Sequence, residues 1–254
     1  MSRASEVREF KSLLHAILDE EMPEISVIVP SLNEEKYIGK AMQSLRDQAF
    51  KDYEIILVDN CSTDRTREIA KKYARILKDK RKGVGLARNL GSRIARGKIL
   101  LFLDADTVAS KGLLSEYKNA FSSDEVVAAT GPILPLEKTS RFVRISYKFV
   151  SILFVRLSIF FGRPSIVGSN FAVRRSAFEK AGGFDEKLLT YEDWNLSNKL
   201  KKYGKIRYLN GALVRTSARR VFAWGVSGFF LYYVINMFKY HATKKPRTDY
   251  MPIR

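Results

Sequence analysis

The chain has 254 residues, and 46% of them are hydrophobic. This content supports a packed core, which excludes a disordered chain, and the length suits one large α/β domain or two small ones. Lys and Arg number 45 against 27 Asp and Glu, a formal net charge of +18, which indicates an anionic partner such as nucleic acid, a phosphorylated substrate or an acidic membrane surface. The single cysteine, Cys61, excludes an internal disulfide, and the charged N-terminal stretch is unlike a signal peptide, so we expect a cytoplasmic protein.

The first half of the sequence predicts a βαβ beginning after an N-terminal helix. Apolar residues at helical spacing predict an amphipathic helix over 5–21, which Pro23 ends, so we treat 1–23 as a separate N-terminal unit. A strand then follows at 25–29, closed by Pro30, with a helix around 37–48 and a second strand at 54–58.

The same alternation continues along the chain. Residues 65–73 predict a helix, 76–77 a weak strand, 86–96 a helix and 99–103 a strand, followed by a helix at 113–121 and a strand at 126–130. Short apolar strands that alternate with helices predict an α/β fold, a mostly parallel sheet with helices on both faces.

Acidic groups follow three of the predicted strands. Asp104 and Asp106 come directly after the wholly apolar run 99–103, and at the carboxyl end of a buried strand they either bind a ligand or metal, or cap the next helix. Parallel neighbours would bring Asn33, Glu34, Asp59 and Asp64 to the same rim, although Asp64 suits a helix cap equally well. Because acidic strand ends repel each other, the rim requires a cation or hydrogen-bond donors.

A basic segment precedes the helix at 86–96. Gly83-Val-Gly-Leu-Ala-Arg88 begins like a dinucleotide fingerprint, but Arg88 replaces the third glycine and the preceding strand is weak. We interpret Lys78 to Lys82 as a flexible basic loop that leads into a helix, which presents Arg88 and Asn89 to the rim, where they could contact phosphate. The chain has no Walker-type loop, so nucleoside triphosphate hydrolysis is not expected.

Five motifs in order resemble family 2 glycosyltransferases of the GT-A fold. They are Val29-Pro-Ser-Leu-Asn-Glu, Val58-Asp-Asn-Cys-Ser-Thr-Asp, Gly85-Leu-Ala-Arg-Asn-Leu-Gly, Leu103-Asp-Ala-Asp and Tyr191-Glu-Asp-Trp. The resemblance covers residues 24 to about 220, which we take as the catalytic domain. It implies transfer of a sugar from a nucleotide-diphosphate sugar to a hydroxyl acceptor, with inversion at the anomeric carbon.

The resemblance also implies roles for residues at the rim. Asp106 would bind the metal directly, with Asp104 closer to the donor ribose, and hard oxygen ligands suit Mg²⁺ or Mn²⁺. The nucleotide pocket would be lined by Pro30, Asn33, Glu34, Asp59 and Asp64, with Arg88 near the diphosphate.

Glu192 and Asp193 stand at the start of a predicted helix. On charge alone, either carboxylate could simply complement the helix N-terminus. The resemblance makes Asp193 the general base that takes the acceptor proton, with Glu192 in reserve. A phosphate acceptor, as in a polyprenyl-phosphate glycosyltransferase, would need no base.

Three further residues are candidates for acceptor or phosphate contacts. The resemblance places Asn170 in the loop and strand near the acceptor. A position in a turn is the alternative explanation for this residue. Many relatives have a metal-binding histidine in the region of Thr216-Ser-Ala-Arg-Arg, but the only histidines here are His15 and His241. Ser217 is one candidate to take the place of this histidine. Arg219 and Arg220 either hold phosphate or form a basic flank.

Two apolar stretches suggest a membrane-associated enzyme. Residues 221–238 carry no charge and have basic residues on both sides, so within 221–254 we predict an apolar helix, more interfacial than membrane-spanning, and a basic tail. The same apolar helix could pair two copies of the chain. Residues 142–161 form a second apolar surface. These features favour a lipid-linked glycan acceptor and a peripheral location on the inner face of the membrane. A basic nucleic-acid-binding protein is the alternative from another class, but no nucleic-acid-binding module is recognisable.

Overall fold

The computed structural model describes residues 22–81 and 83–228, together with 231 and 235. The helix predicted at 5–21 lies outside the described residues, as does most of the segment after 228. Residues 219–228 are helical, and the apolar C-terminal helix over 221–238 stays a prediction. The division of the chain into three units remains a prediction.

The described elements alternate between strands and helices. The strands are β1 Ile25–Ser31, β2 Tyr53–Asp59, β3 Arg75–Lys78, β4 Ile99–Leu103, β5 Thr107–Ala109, β6 Val126–Thr130, β7 Ile133–Pro135, β8 Asn170–Arg174, β9 Lys205–Tyr208 and β10 Val214–Thr216. The helices are α1 Glu35–Arg46, α2 Thr66–Ala70, α3 Val84–Ile94, α4 Leu113–Ala120, α5 Arg141–Lys148, α6 Val155–Phe160, α7 Arg175–Lys180 and α8 Glu192–Leu200, with a π-helical segment Phe149–Phe154 joining α5 to α6.

A seven-stranded sheet in the order β3-β2-β1-β4-β8-β6-β9 forms the centre of the fold. All its neighbouring pairs are parallel except those of β8, which runs antiparallel to both β4 and β6. Every residue of β1, β4 and β6 is buried, because helices cover both faces of the sheet. The predicted α/β class and mostly parallel sheet are therefore confirmed.

The antiparallel strand β8 decides which segments meet at the functional rim. Leu103, the last residue of β4, pairs with Asn170, the first residue of β8. The segment before β8 therefore reaches the same edge of the sheet as Asp104. A small second sheet, β5-β10-β7, lies just beyond and brings the chain around Thr216 back beside Thr107.

Pro30 does not close β1, as the sequence had suggested. The strand continues to Ser31, and Pro30 pairs in register with Val58 of β2. The ladder to β4 ends earlier, at Ile28, so the proline lies where one side of the strand is already unpaired. This is a position at which a strand tolerates a missing N–H group.

The apolar stretch 142–161 forms α5, the π-helical segment and α6. Its inward side chains include Val143, Ser151 and Val155, which are buried, and the Ser151 hydroxyl donates to the Ile133 carbonyl oxygen at 2.9 Å. Its outward side chains are large and exposed. Within the part of the chain that the structure describes, no helix has the length and apolar character needed to cross a bilayer.

Candidate active site

Arg88 lies at the centre of one half of the rim. Its side chain is only 2% exposed, and it donates to Glu192 Oε1 at 3.0 Å, to Asp104 Oδ1 at 3.0 Å and to the Gly168 carbonyl oxygen at 2.8 Å. The guanidinium also lies over the ring of Phe184, 5.5 Å from its centroid. One arginine thus joins α3, the end of β4, the segment before β8 and the start of α8.

Gly168 allows this close arrangement because it has no side chain. A Cβ there would lie 3.0 Å from both terminal nitrogens of Arg88 and 3.1 Å from Asp193 Oδ2. The Gly168 N–H donates to Asp193 Oδ2 at 2.9 Å, and the Trp194 N–H donates to Asp193 Oδ1 at 2.7 Å. Asp193 is therefore fixed in orientation, and the residue as a whole is partly buried.

The carboxylates around Arg88 carry more negative charge than one arginine can offset. Burial raises the pKa of Glu192 to about 7, with the charge of Asp193 adding to the effect and Arg88 opposing it. Burial also raises the pKa of Asp193, against the opposing effects of Arg88 and the two backbone donors. Near neutral pH Glu192 can therefore accept or hold a proton, as a general acid–base residue must.

Arg219 lies at the centre of the other half of the rim. Its two terminal nitrogens contact both carboxylate oxygens of Glu34, and Nη2 lies 3.1 Å from Asp106 Oδ2. The guanidinium sits over the ring of Tyr37 at 5.3 Å. Asp106 Oδ1 accepts a hydrogen bond from the Thr216 hydroxyl at 3.1 Å. The bidentate geometry towards Glu34 is one that lysine could not provide.

Arg219 does not fully offset the negative charge around Asp106. Burial, together with the charges of Asp104 and Glu34, raises the pKa of Asp106 to about 6, against the opposing effects of Arg219 and Arg220. A buried carboxylate beside other carboxylates favours a cation. Arg220 is thus close enough to act electrostatically on this half of the rim.

The oxygen donors fit a hard divalent ion. Asp104 has a side chain that is 37% exposed, and Asp106 follows two residues later at the same edge. Among the described residues, no three His, Cys, Asp or Glu side chains converge in a metal-binding group. Mg²⁺ and similar ions are often held by one or two carboxylates together with substrate phosphates, so a pair of aspartates matches that pattern.

The loops after β1 and β2 are tied together by side-chain hydrogen bonds. Asn33 Oδ1 accepts from the Thr63 N–H at 2.8 Å, and the Asn33 N–H donates to the Ser62 hydroxyl at 2.9 Å. Asp64 accepts from the N–H groups of Glu35 at 3.1 Å and Thr66 at 3.0 Å. Asp64 thus caps the starts of α1 and α2. Burial alone would raise its pKa, but these hydrogen bonds, led by the one from the Thr66 side chain, lower it below the usual value.

Asp59 is fully buried at the end of β2. Its carboxylate accepts from the side chain of Ser62 and from the Ser62 N–H at 3.0 Å, and Arg67 lies at 3.3 Å. In the described part of the chain, the non-glycine residues with positive φ are Asn33, Cys61 and Tyr191. All three lie in loops that border this site, where strained backbone typically serves function.

Two predicted residues make internal contacts that the sequence did not predict. Arg88 was expected near the diphosphate, and the structure shows both of its terminal nitrogens bonded inside the protein, where they hold the carboxylates in place. Asn170 was expected to face an acceptor, but it is 0% exposed. Its amide accepts from Tyr117 at 2.8 Å and donates to the Ala212 carbonyl oxygen at 2.8 Å, so its role in this structure is to join elements of the core.

Sequence reasoning missed Glu137. This carboxylate accepts from the Ser217 hydroxyl at 2.8 Å and from the Ala218 N–H at 2.7 Å, and it thereby fixes the segment that presents Arg219. Hydrogen bonds from Ala218 and Ser217 outweigh the effect of burial and lower the pKa of Glu137. Because Glu137 follows a short strand with no motif around it, only its three-dimensional partners reveal its role.

The family model for glycosyl transferase family 2 matches residues 26–182. Since the match covers more than half of the chain, the protein belongs to glycosyl transferase family 2. The predicted resemblance to this family is therefore confirmed, and the matched range contains four of the five motifs. Glu192, Asp193 and Arg219 lie beyond the matched range, although the structure joins them to residues within it.

The chain spans only part of the length of the curated relatives that it matches, from 18% to 63%. TarS of Staphylococcus aureus, a poly(ribitol-phosphate) beta-N-acetylglucosaminyltransferase, is 38% identical over 104 residues, which cover 37% of this chain and 18% of TarS. The probable glycosyltransferase YdaM of Bacillus subtilis is 30% identical over 216 residues, covering 76% of this chain and 50% of YdaM.

Solved structures show the same fold. The crystal structure of residues 1–349 of TarS has a TM-score of 0.62 at 21% identity, covering 78% of this chain and 62% of that one. The mannosyltransferase PcManGT of Pyrobaculum calidifontis, solved with GDP-Man and Mn²⁺, has a TM-score of 0.63 at 19% identity. The match covers 85% of this chain and 65% of PcManGT. These likenesses confirm the GT-A fold.

Proposed function

We propose that this protein is a metal-dependent, inverting glycosyltransferase that moves a sugar from a nucleotide-diphosphate sugar to a hydroxyl group of an acceptor. The observation that carries the proposal is the convergence of five carboxylates on two arginines, one buried and one partly buried, at one rim of the sheet. The carboxylates belong to Glu34, Asp104, Asp106, Glu192 and Asp193, and the arginines are Arg88 and Arg219. A merely structural rim would not keep so many partly unbalanced charges together.

The donor would bind over the ends of β1, β2 and β4. The loop residues Asn33 and Glu34, the strand ends Pro30 and Asp59, and the cap Asp64 border this position, where ligands bind in open α/β sheets. Asp106, with Asp104 beside it, would hold Mg²⁺ or Mn²⁺. When bound, the ion would neutralise charge that develops on the leaving diphosphate. A solved relative holds UDP-GlcNAc and another holds GDP-Man with Mn²⁺, which supports both parts of the proposal.

Asp193 is our candidate for the general base. It is more exposed than Glu192, and its two backbone hydrogen bonds fix its orientation. Asp193 would take the proton from the acceptor hydroxyl as the oxygen forms a bond to the anomeric carbon, while the bond from that carbon to the nucleoside diphosphate breaks. Glu192, buried and bonded to Arg88, would keep the site rigid and is the second candidate.

We further propose that the acceptor is a lipid-linked glycan and that the enzyme works at the inner face of the cell membrane. The net charge of +18 and the exposed apolar residues of α5 and α6 support this location. Pairing of two copies through the C-terminal helix remains a prediction.

A donor screen tests the enzymatic proposal. Thermal shift and calorimetry with nucleotide sugars, beginning with UDP-GlcNAc and GDP-mannose, should give a stabilisation that increases when Mn²⁺ is added. Asp106→Ala should abolish the Mn²⁺-dependent part, whereas the control Asp52→Ala, at an exposed residue before β2, should retain it. If no nucleotide sugar binds with or without Mn²⁺, the proposal is wrong.

A further inference from the structure

We propose that the outward face of α5, the π-helical segment and α6 is the surface with which the protein docks on an anionic membrane. We call this face the apolar ridge and define it by Phe142, Ile145, Phe149, Leu153, Leu157 and Phe160. These residues recur every three or four positions and therefore lie along one side of the helical stretch. The inference extends the proposed function by naming the surface, but it does not depend on the chemistry of the active site.

The apolar ridge exposes an unusual amount of hydrophobic surface. Eight of the thirteen exposed large hydrophobic side chains among the described residues lie between 142 and 161. Phe142 is 64% exposed, Phe149 is 56% exposed and Phe160 is 80% exposed. A shallow groove of about 640 Å³ runs between Ile145 and Phe160. Scattered exposed hydrophobic residues are ordinary, but a continuous patch marks an interaction site.

The inward side of the same stretch is firmly packed, so the ridge is a formed surface. Val143 and Val155 are buried, and the Ser151 hydroxyl bonds to the carbonyl oxygen of Ile133 in β7. The Arg156 guanidinium lies 5.8 Å from the ring centroid of Tyr208 in β9. Because these contacts hold the inner side, the large outward side chains have no place in the core.

The charge around the apolar ridge selects an anionic partner. Between Glu137 and Glu179 the sequence contains eight Lys and Arg residues and no Asp or Glu. Arg141, Arg144 and Lys148 are exposed on α5. A second copy of this ridge would bring like charges together, whereas anionic lipid head groups attract lysine and arginine while the acyl region accepts the aromatic side chains. An anionic bilayer satisfies both requirements.

The apolar ridge is also connected to the half of the rim that is centred on Arg219. Glu137 lies four residues before α5 and accepts the hydrogen bonds from Ser217 and Ala218 that fix the segment carrying Arg219. A ridge anchored in lipid would therefore hold this part of the rim close to the membrane surface. An acceptor carried by a lipid would then reach the site without leaving the bilayer.

Vesicle binding by the full chain tests the ridge directly. Sedimentation with phosphatidylcholine vesicles, with or without phosphatidylglycerol, should show binding that requires the anionic lipid. Phe149→Glu should weaken this binding by about tenfold or more, and Arg144→Gln with Lys148→Gln should weaken it by several-fold. The matched control is Met22→Glu, which adds the same charge at a residue that is 61% exposed outside the ridge and should bind like the unchanged protein.

A fluorescent probe then locates the contact. With Cys61→Ser as background, a polarity-sensitive dye on Leu153→Cys should shift to shorter wavelength on vesicle addition and be quenched by spin-labelled lipid. The same dye on Lys40→Cys, an exposed position of α1, should do neither.

Three outcomes would overturn the proposal: no vesicle binding, vesicle binding without a change at position 153, or a probe at 153 already shielded in a dimer that Phe149→Glu dissociates. The second outcome would assign lipid binding to another segment, and the third would assign the ridge to a second copy of the chain. Donor binding measured on the same samples separates these outcomes from failure of the enzymatic proposal, since Phe149→Glu should leave donor affinity unchanged.

Discussion

Replacing Arg88 with methionine should strongly destabilise the protein. The guanidinium makes two ion pairs and a hydrogen bond to a carbonyl oxygen while only 2% exposed. Removing one partner of a buried pair typically costs about 3–5 kcal/mol, because the remaining charges lose their compensation. We expect Arg88→Met to lower the free energy of unfolding by about that amount, and Arg88→Lys to lose less because lysine keeps the positive charge.

The pH dependence gives this prediction its sharpest form. Glu192 has a pKa of about 7 in the folded protein, raised from 4.5. Its contribution to stability is therefore complete below about pH 4.5 and is lost as the pH rises through about 7. Without Arg88 the pKa of Glu192 should rise further. The deficit of Arg88→Met should therefore be smaller near pH 5.5 than near pH 8.

Urea unfolding followed by circular dichroism measures these differences. Glu192→Gln is the matched partner, since an uncharged amide resembles the protonated acid. The double variant Arg88→Met with Glu192→Gln should recover at least about 1 kcal/mol relative to the sum of the single effects. If Arg88→Met costs less than about 1 kcal/mol, or if the cost is the same in both Glu192 backgrounds, the electrostatic account of this cluster is wrong.

Three further substitutions test other parts of the site. Asp193→Asn should slow sugar transfer by about 10²-fold or more while leaving donor affinity within about twofold, as measured by transfer assays and calorimetry; equal losses of both would contradict a role as base. Asp64→Ala should cost about 1–2 kcal/mol by loss of the two helix-start hydrogen bonds, and because its pKa lies below the usual value, the deficit in urea unfolding should diminish as the pH falls through that pKa. Asn170→Ala should lower the free energy of unfolding by about 2–3 kcal/mol, because it leaves Tyr117 and a carbonyl oxygen without partners. The acceptor KM of the remaining folded enzyme should not change. A selective rise in that KM would support the acceptor role instead.

The sequence predicted the parallel part of the fold closely. Wholly apolar runs such as 99–103 are typical of strands buried on both faces, and the acidic residues that follow them mark the carboxyl edge. The structure places β1, β2 and β4 side by side with those ends together. The antiparallel direction of β8 was not predictable, because a short apolar strand contains no information about the direction of its neighbours.

The site was harder to predict than the sheet for a physical reason. The residue type indicates that Arg88 and Arg219 pair with anions. It does not indicate whether the anion is a bound phosphate or a carboxylate of the same protein. The structure places Arg88 between carboxylates from segments 16 and 104 residues away in sequence. Such long-range pairs depend on tertiary packing, and the same is true of Glu137 with Ser217.

The hydrogen bonds between the loops after β1 and β2 have an entropic consequence for ligand binding. Each loop supplies donors and acceptors to the other through Asn33, Ser62, Thr63 and Asp64. Because the two loops are hydrogen-bonded to each other, they lose their conformational freedom when the protein folds, before any ligand binds. A nucleotide that binds against them therefore loses little affinity to loop ordering, and tight binding at this edge would require fewer direct contacts than a pair of independent loops would need.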